Sequence, residues 1–213
     1  MLIAKETRGG FRKRSRKIPE PIIYSGIEAV YDISEGNPRW LIGIMNDLLE
    51  ATKSNKKGML IRISPNTQAK ILRQVSERFN SIIKTSPGQN AKVGDKKMHL
   101  VEILKTIGNY FFNRLVKDEF TLDPVGSFVV DNNTEPDMLD LLEIAIKQGA
   151  ILLVDNPSVL DPSFKGKRFR LSFMLAPLLK LPLRLYSPVK LSSCLELKTK
   201  QLSNDFSPKL PCF

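Results

Sequence analysis

The residues best placed to do chemistry in this chain are Gly36-Asn37-Pro38-Arg39, which open an apolar-periodic stretch over 38–50. Asparagine followed by proline is a helix start. The Asn37 side-chain oxygen can accept from the backbone N–H of Arg39 or Trp40, and Pro38 at the first helical position lacks an N–H that would have gone unpaired anyway. Arg39 therefore falls in the first turn, beside the positive end of the helix dipole, where a cation costs a few tenths to about 1 kcal/mol. A guanidinium together with free backbone N–H groups at a helix start is a natural receptor for a phosphate or carboxylate. The bland alternative is an ion pair with Glu35 or Asp32, or a side chain that reaches water, as most surface arginines do.

Little else in the chain offers chemistry of its own. His99 is the only histidine and has no second His, Cys or carboxylate at helical spacing, so it reads as a surface or capping residue. Cys194 and Cys212 are the only cysteines and have neither metal-site nor disulfide-framework spacing. No Ser-His-Asp or Cys-His set can be assembled, and Glu135, Asp137, Asp140 and Glu143 read as one solvated helix face. The chain is therefore expected not to be an enzyme as it stands.

A net charge of +11 and a pI near 9.7 point to an anionic partner such as nucleic acid or acidic lipid. The start, Met-Leu-Ile-Ala-Lys-Glu-Thr-Arg, is too poor in apolar residues for a secretory leader, and no run is long enough to span a bilayer. The expectation is a cytoplasmic protein with no membrane partner.

These candidate residues need elements to hold them. Residues 1–24 carry Lys5, Arg8, Arg12, Lys13, Arg14, Arg16 and Lys17 around two glycines and read as a basic flexible arm, either a phosphate-contacting tail or a solvated linker. Ile27, Val30, Tyr31 and Ile33 mark a short helix, and Leu41, Ile42, Ile44, Met45, Leu48 and Leu49 a longer one, together a helical hairpin over 25–51. Residues 51–58 read as a linker and 59–63 as a brief extended run. Helices follow over 65–84 and 98–116, separated by a polar loop over 85–97. A strand at 127–130, a helix capped by Thr134 and stopped at Gly149, and strands at 150–154 and 168–174 complete the pattern. Helix, strand, basic loop, strand is the back half of a winged helix, with Lys165, Lys167, Arg168 and Arg170 on or beside the wing where phosphates are touched. The helix that would enter a major groove is acidic. That predicts either backbone-only contact through wing and arm, or a winged helix used for protein contact. Leu178 to Leu185, interrupted by Pro182, cannot be a regular helix throughout and could pack back across the first hairpin. Residues 186–213 read as an irregular tail.

Gly36-Asn37-Pro38-Arg39 followed by an amphipathic helix resembles the sensor-2 segment in the helical lid of AAA+ ATPases, particularly the origin-recognition-type initiator branch and related signal-transduction ATPases. Lys167-Arg168-Phe169-Arg170-Leu171-Ser172-Phe173-Met174-Leu175-Ala176-Pro177 resembles the end of the winged-helix domain that follows such lids, so the similarity spans most of 25–185. The resemblance implies a mainly α fold with a small β component: a lid hairpin at 25–51, then a winged-helix-like domain over 59–185. It also implies that Arg39, beside Asn37, reaches the γ-phosphate of an ATP bound on an α/β core.

The departure from the family pattern is the nucleotide core itself. No G-x-x-x-x-G-K-[ST] loop occurs, and no hydrophobic run ending in paired acids precedes the hairpin. The chain reads as the lid and C-terminal portion of such an ATPase, truncated or working beside a P-loop partner. ATP and Mg²⁺ would be bound only with that core, and nucleic acid through the wing and Arg12, Lys13 and Arg14. The alternative is a winged-helix adaptor that binds protein and has no nucleotide or DNA role.

Overall fold

The computed structural model describes residues 23–53, 62–85, 90–93, 96–117, 124–132, 134–155 and 163–195. The chain is mainly α with a small β component. Helix α1 (Ile27–Ser34) and helix α2 (Pro38–Lys53) form the expected hairpin, turning at Glu35 and Gly36, both of which hold positive φ. Helix α3 (Pro65–Thr85) follows and buries Ala69, Leu72, Val75, Phe79 and Ile83 along one face.

The polar loop expected over 85–97 is instead a hairpin of strand β1 (Asn90–Val93) and strand β2 (Lys96–His99). Helix α4 (Leu100–Phe112) begins later than the sequence suggested, because His99 serves as its N-cap. Its Nδ1 accepts from the Val101 N–H at 3.3 Å, and the His99 N–H donates to Glu102. The helix widens into a π-type turn at Asn113–Lys117.

Strand β3 (Val125–Val129), helix α5 (Pro136–Lys147), strand β4 (Ile151–Leu153) and strand β5 (Arg168–Leu171) appear near their expected places. Thr134 does not cap α5. The residue before Pro136 is pushed to extended geometry, so Glu135 takes the N-cap position, with φ −64 and ψ 149, and the Thr134 hydroxyl is buried without a partner among the described residues. Gly149 ends the helix at φ +69 as expected. Strand β5 stops at Leu171, where Ser172 caps a 3₁₀ turn that runs into the short helix α6 (Ala176–Leu179).

The expected irregular tail is structured through residue 195. Strand β6 (Ser187–Lys190) pairs in parallel with β3, and 191–195 are helical. The sheet order is β4-β5-β3-β6, antiparallel except for the β3–β6 pair. Residue 24 likewise does not belong to a free arm, since Tyr24 is 1% exposed and donates its hydroxyl to the Ala176 and Leu181 carbonyls at 3.0 and 2.8 Å. One continuous cluster of buried side chains runs from Tyr24 through α1–α4 and the sheet to Cys194, with Phe128 and Phe169 stacked 6.0 Å apart at its β end.

Burial pushes the Cys194 thiol up from 9.0 to about 12. The folded chain holds the proton that an unfolded chain releases above pH 9, so this contribution is intact below that pH and is lost progressively as pH climbs toward 12. Melting curves between pH 8 and about pH 11 are expected to fall more steeply for the wild-type chain than for Cys194→Ala, by at most about 1.4 kcal/mol per pH unit. Parallel curves would show that another group is responsible.

Candidate functional site

The turn between α1 and α2 is built as its sequence dictates. The Asn37 side-chain oxygen accepts the Arg39 N–H at 3.0 Å, and the Asn37 carbonyl accepts from Leu41 at 3.0 Å. Pro38 occupies the first helical position and Arg39 the first turn. Asn37 thus fixes the helix start and, through it, the point from which Arg39 projects. Trp40 anchors the same turn from the inside, edge-on to Phe79 of α3 at 5.5 Å between ring centres.

Arg39 is exposed, and its guanidinium has no hydrogen bond or ion pair among the described residues. Of the two acids that precede it in sequence as candidate partners, Glu35 is already committed. The Glu35 carboxylate accepts two bonds from the Arg170 guanidinium, at 2.8 and 2.7 Å, one from the Ser172 hydroxyl at 3.2 Å and one from the Phe173 N–H. Arg170 also stacks on the Phe173 ring, 4.1 Å from its centre. The turn that carries Arg39 is thereby bolted to the end of β5.

The basic residues expected on the wing divide by role. Lys165 is exposed and donates from Nζ to the Asn132 carbonyl at 3.3 Å, while Lys167 is half-buried. Arg168 is not a free cation. Its backbone N–H donates to Asp155, its Nε to the Ser127 hydroxyl at 3.0 Å and its Nη2 to the Tyr186 carbonyl at 2.7 Å, tying β5 across β3 to the approach of β6. Arg170 faces Glu35 rather than a ligand. Arg12, Lys13 and Arg14 lie outside the described residues. Arg39 and the wing lysines are therefore separate features, linked through Arg170.

A family model described as ORC-CDC6-like matches residues 3–191. The chain belongs to the ORC-CDC6-like family. The match takes in the Asn37 turn, the Lys167–Pro177 segment and the sheet, and agrees with the origin-recognition-type AAA+ relation that the sequence motifs implied. For an ORC-CDC6-like chain, interactions with nucleic acid and with other subunits are the general expectation. No curated protein and no solved structure matches significantly. Among the described residues, no group of three His, Cys, Asp or Glu side chains is arranged to hold a metal ion, and no helix is long and apolar enough to cross a membrane.

In this ORC-CDC6-like chain, the role of Glu35 and the β1–β2 hairpin are among the features that sequence reasoning missed. Glu35 looked like a partner for Arg39, and only the contact with a residue 135 positions away reveals its role. The β1–β2 hairpin puts Lys92 directly opposite Lys97; its sequence signal was the Gly94-Asp95 pair between two four-residue runs.

Proposed function

We propose that this chain acts as the lid and winged-helix-like portion of an initiator-type AAA+ ATPase. Arg39 serves ATP held by a P-loop core, and the wing and arm hold nucleic-acid backbone. The observation that carries the reading is the exposed Arg39 guanidinium, without a partner among the described residues and set at an Asn-Pro helix start, while Glu35 is engaged by Arg170. Cation and helix dipole oppose each other until an anion arrives, and a triphosphate satisfies both. In this reading Asn37 is a positioning residue, ATP and Mg²⁺ are bound only together with the core, and the chain alone is not an enzyme. A cytoplasmic location without a membrane partner fits that role.

The sheet order β4-β5-β3, with α5 between β3 and β4, supports the winged-helix part, in which Ser163–Lys167 belong to the wing. Lys165, Lys167, Arg12, Lys13 and Arg14 are the proposed backbone contacts, and Arg168 braces the wing from within. The expected result is that Arg39→Ala leaves the melting temperature unchanged yet lowers ATP turnover at least tenfold, the loss of one charge-assisted contact worth about 1.5–3 kcal/mol, when a P-loop core is supplied. Unchanged turnover would return Arg39 to the ordinary surface arginines.

A second reading, a protein-binding adaptor without nucleotide or DNA, is favoured by one observation. Asp137, Asp140 and Glu143 are exposed on α5, the helix that would have to enter a groove. A salt titration of duplex binding separates the two: a steep loss of affinity supports the first, and a flat, weak response the second.

A further inference from the structure

The β1–β2 hairpin carries a facing pair of cations that no described residue neutralises. In its register Asn90 lies opposite His99, Ala91 opposite Met98 and Lys92 opposite Lys97. Side chains alternate across a strand, so Ala91 and Met98 share one face and are buried, at 1% and 8% exposed. Asn90, Lys92, Lys97 and His99 share the other. Like charges directly opposite each other, their Cα atoms about 5 Å apart, destabilise a hairpin. Lys92 and Lys97 are both exposed, and neither has an ion pair or hydrogen bond among the described residues, although β1 packs along the acid-bearing α5.

The mounting of this pair is firm. The inner face is fixed in the core, and β2 passes directly into α4 through the His99 cap. The outer face is polar along its length and offers no apolar side chain to enter a lipid surface, which argues against a membrane partner. A two-stranded ribbon of this kind is narrow enough to lie against a duplex, and two fixed cations on it match the repeating charge of a phosphodiester backbone.

We propose that the outer face of the β1–β2 hairpin is a second nucleic-acid contact, in which Lys92 and Lys97 neutralise phosphates of a duplex. This rests on the reading that the chain binds nucleic acid, but places the contact on an element separate from the wing and the arm.

The test is fluorescence anisotropy with a labelled duplex of about 30 base pairs, as DNA and as RNA of the same sequence, across a salt series. For Lys92→Gln/Lys97→Gln, the slope of log affinity against log salt is expected to shrink by about 1.8, with affinity at about 50 mM salt down by roughly one to two orders of magnitude. The duplex that shows the change names the natural backbone. A melting temperature at or above that of the wild type is expected, because a repulsive pair is removed and no contact is lost. Lys70→Gln/Lys84→Gln, which neutralises two exposed lysines of α3, controls for net charge and should leave the slope unaltered. If the wild-type chain binds duplex but the hairpin variant keeps its slope, or the control loses as much, the hairpin proposal falls and the nucleic-acid reading survives. If the wild-type chain shows no salt-dependent duplex binding, or binds only anionic vesicles or an acidic peptide, both fall.

Discussion

Glu35→Ala lowers the stability of the folded chain by about 3 kcal/mol, read as a shift in the urea midpoint with an unchanged m-value. The carboxylate is 13% exposed and its partner Arg170 18%, so both charges have left most of their water. Removing one strands the other, and such losses run to about 3–5 kcal/mol, with the residual exposure putting this pair at the low end. The Phe173 N–H and Ser172 hydroxyl lose an acceptor at the same stroke. Arg170→Ala is expected to cost a similar amount. The double variant should cost at least about 1 kcal/mol less than the sum of the two, because the second change removes a charge already stranded. Additive losses would mean that the two side chains act independently.

Tyr24→Ala is expected to cost about 3–5 kcal/mol, the range for deleting a fully buried aromatic side chain. Tyr24→Phe isolates the hydroxyl. It leaves the ring in place and removes the donor to the Ala176 and Leu181 carbonyls, for about 1–2 kcal/mol. The Ala176 carbonyl still accepts from the Leu181 N–H at 3.1 Å, which keeps the loss modest. A Tyr24→Ala variant that melts with the wild type would show that the segment before α1 is not fastened to the core. Tyr24 stands just before α1 and Glu35 just after it, and both grip the segment from Ser172 to Leu181. The first hairpin, which carries Arg39, is therefore tied to the end of the sheet at both ends of α1.

How far the sequence foretold this depends on how local the causes are. The Asn37 cap, the spacing of Leu72, Val75, Phe79 and Ile83, and the stop at Gly149 are each decided within a turn or two of helix, and each is found where the residues put it. The hairpin at 90–99 was harder to see. Its strands are four residues long and its outer face is lysine, asparagine and histidine, so only one buried pair distinguishes it from a polar loop. Strand β6 was hidden by Pro188, a residue that normally argues against a strand. It is tolerated because β6 is the edge of the sheet among the described residues, so the missing N–H falls on the side away from β3. The roles of Arg168 and Arg170 were beyond reach. Both look like wing cations, and what claims them is Tyr186, Ser127 and Glu35, partners fixed only by the completed fold. At the candidate site, chemical type and helix register were legible, whereas the availability of each cation was not.

The chain has a single tryptophan, and the structure sets it one residue after Arg39, half-buried and edge-on to a phenylalanine of the next helix. Its indole emission is thus an unlabelled spectroscopic probe at the candidate anion receptor, where a polyanion arriving at the neighbouring guanidinium, or a loosening of the α2–α3 contact, would alter the light the protein gives off.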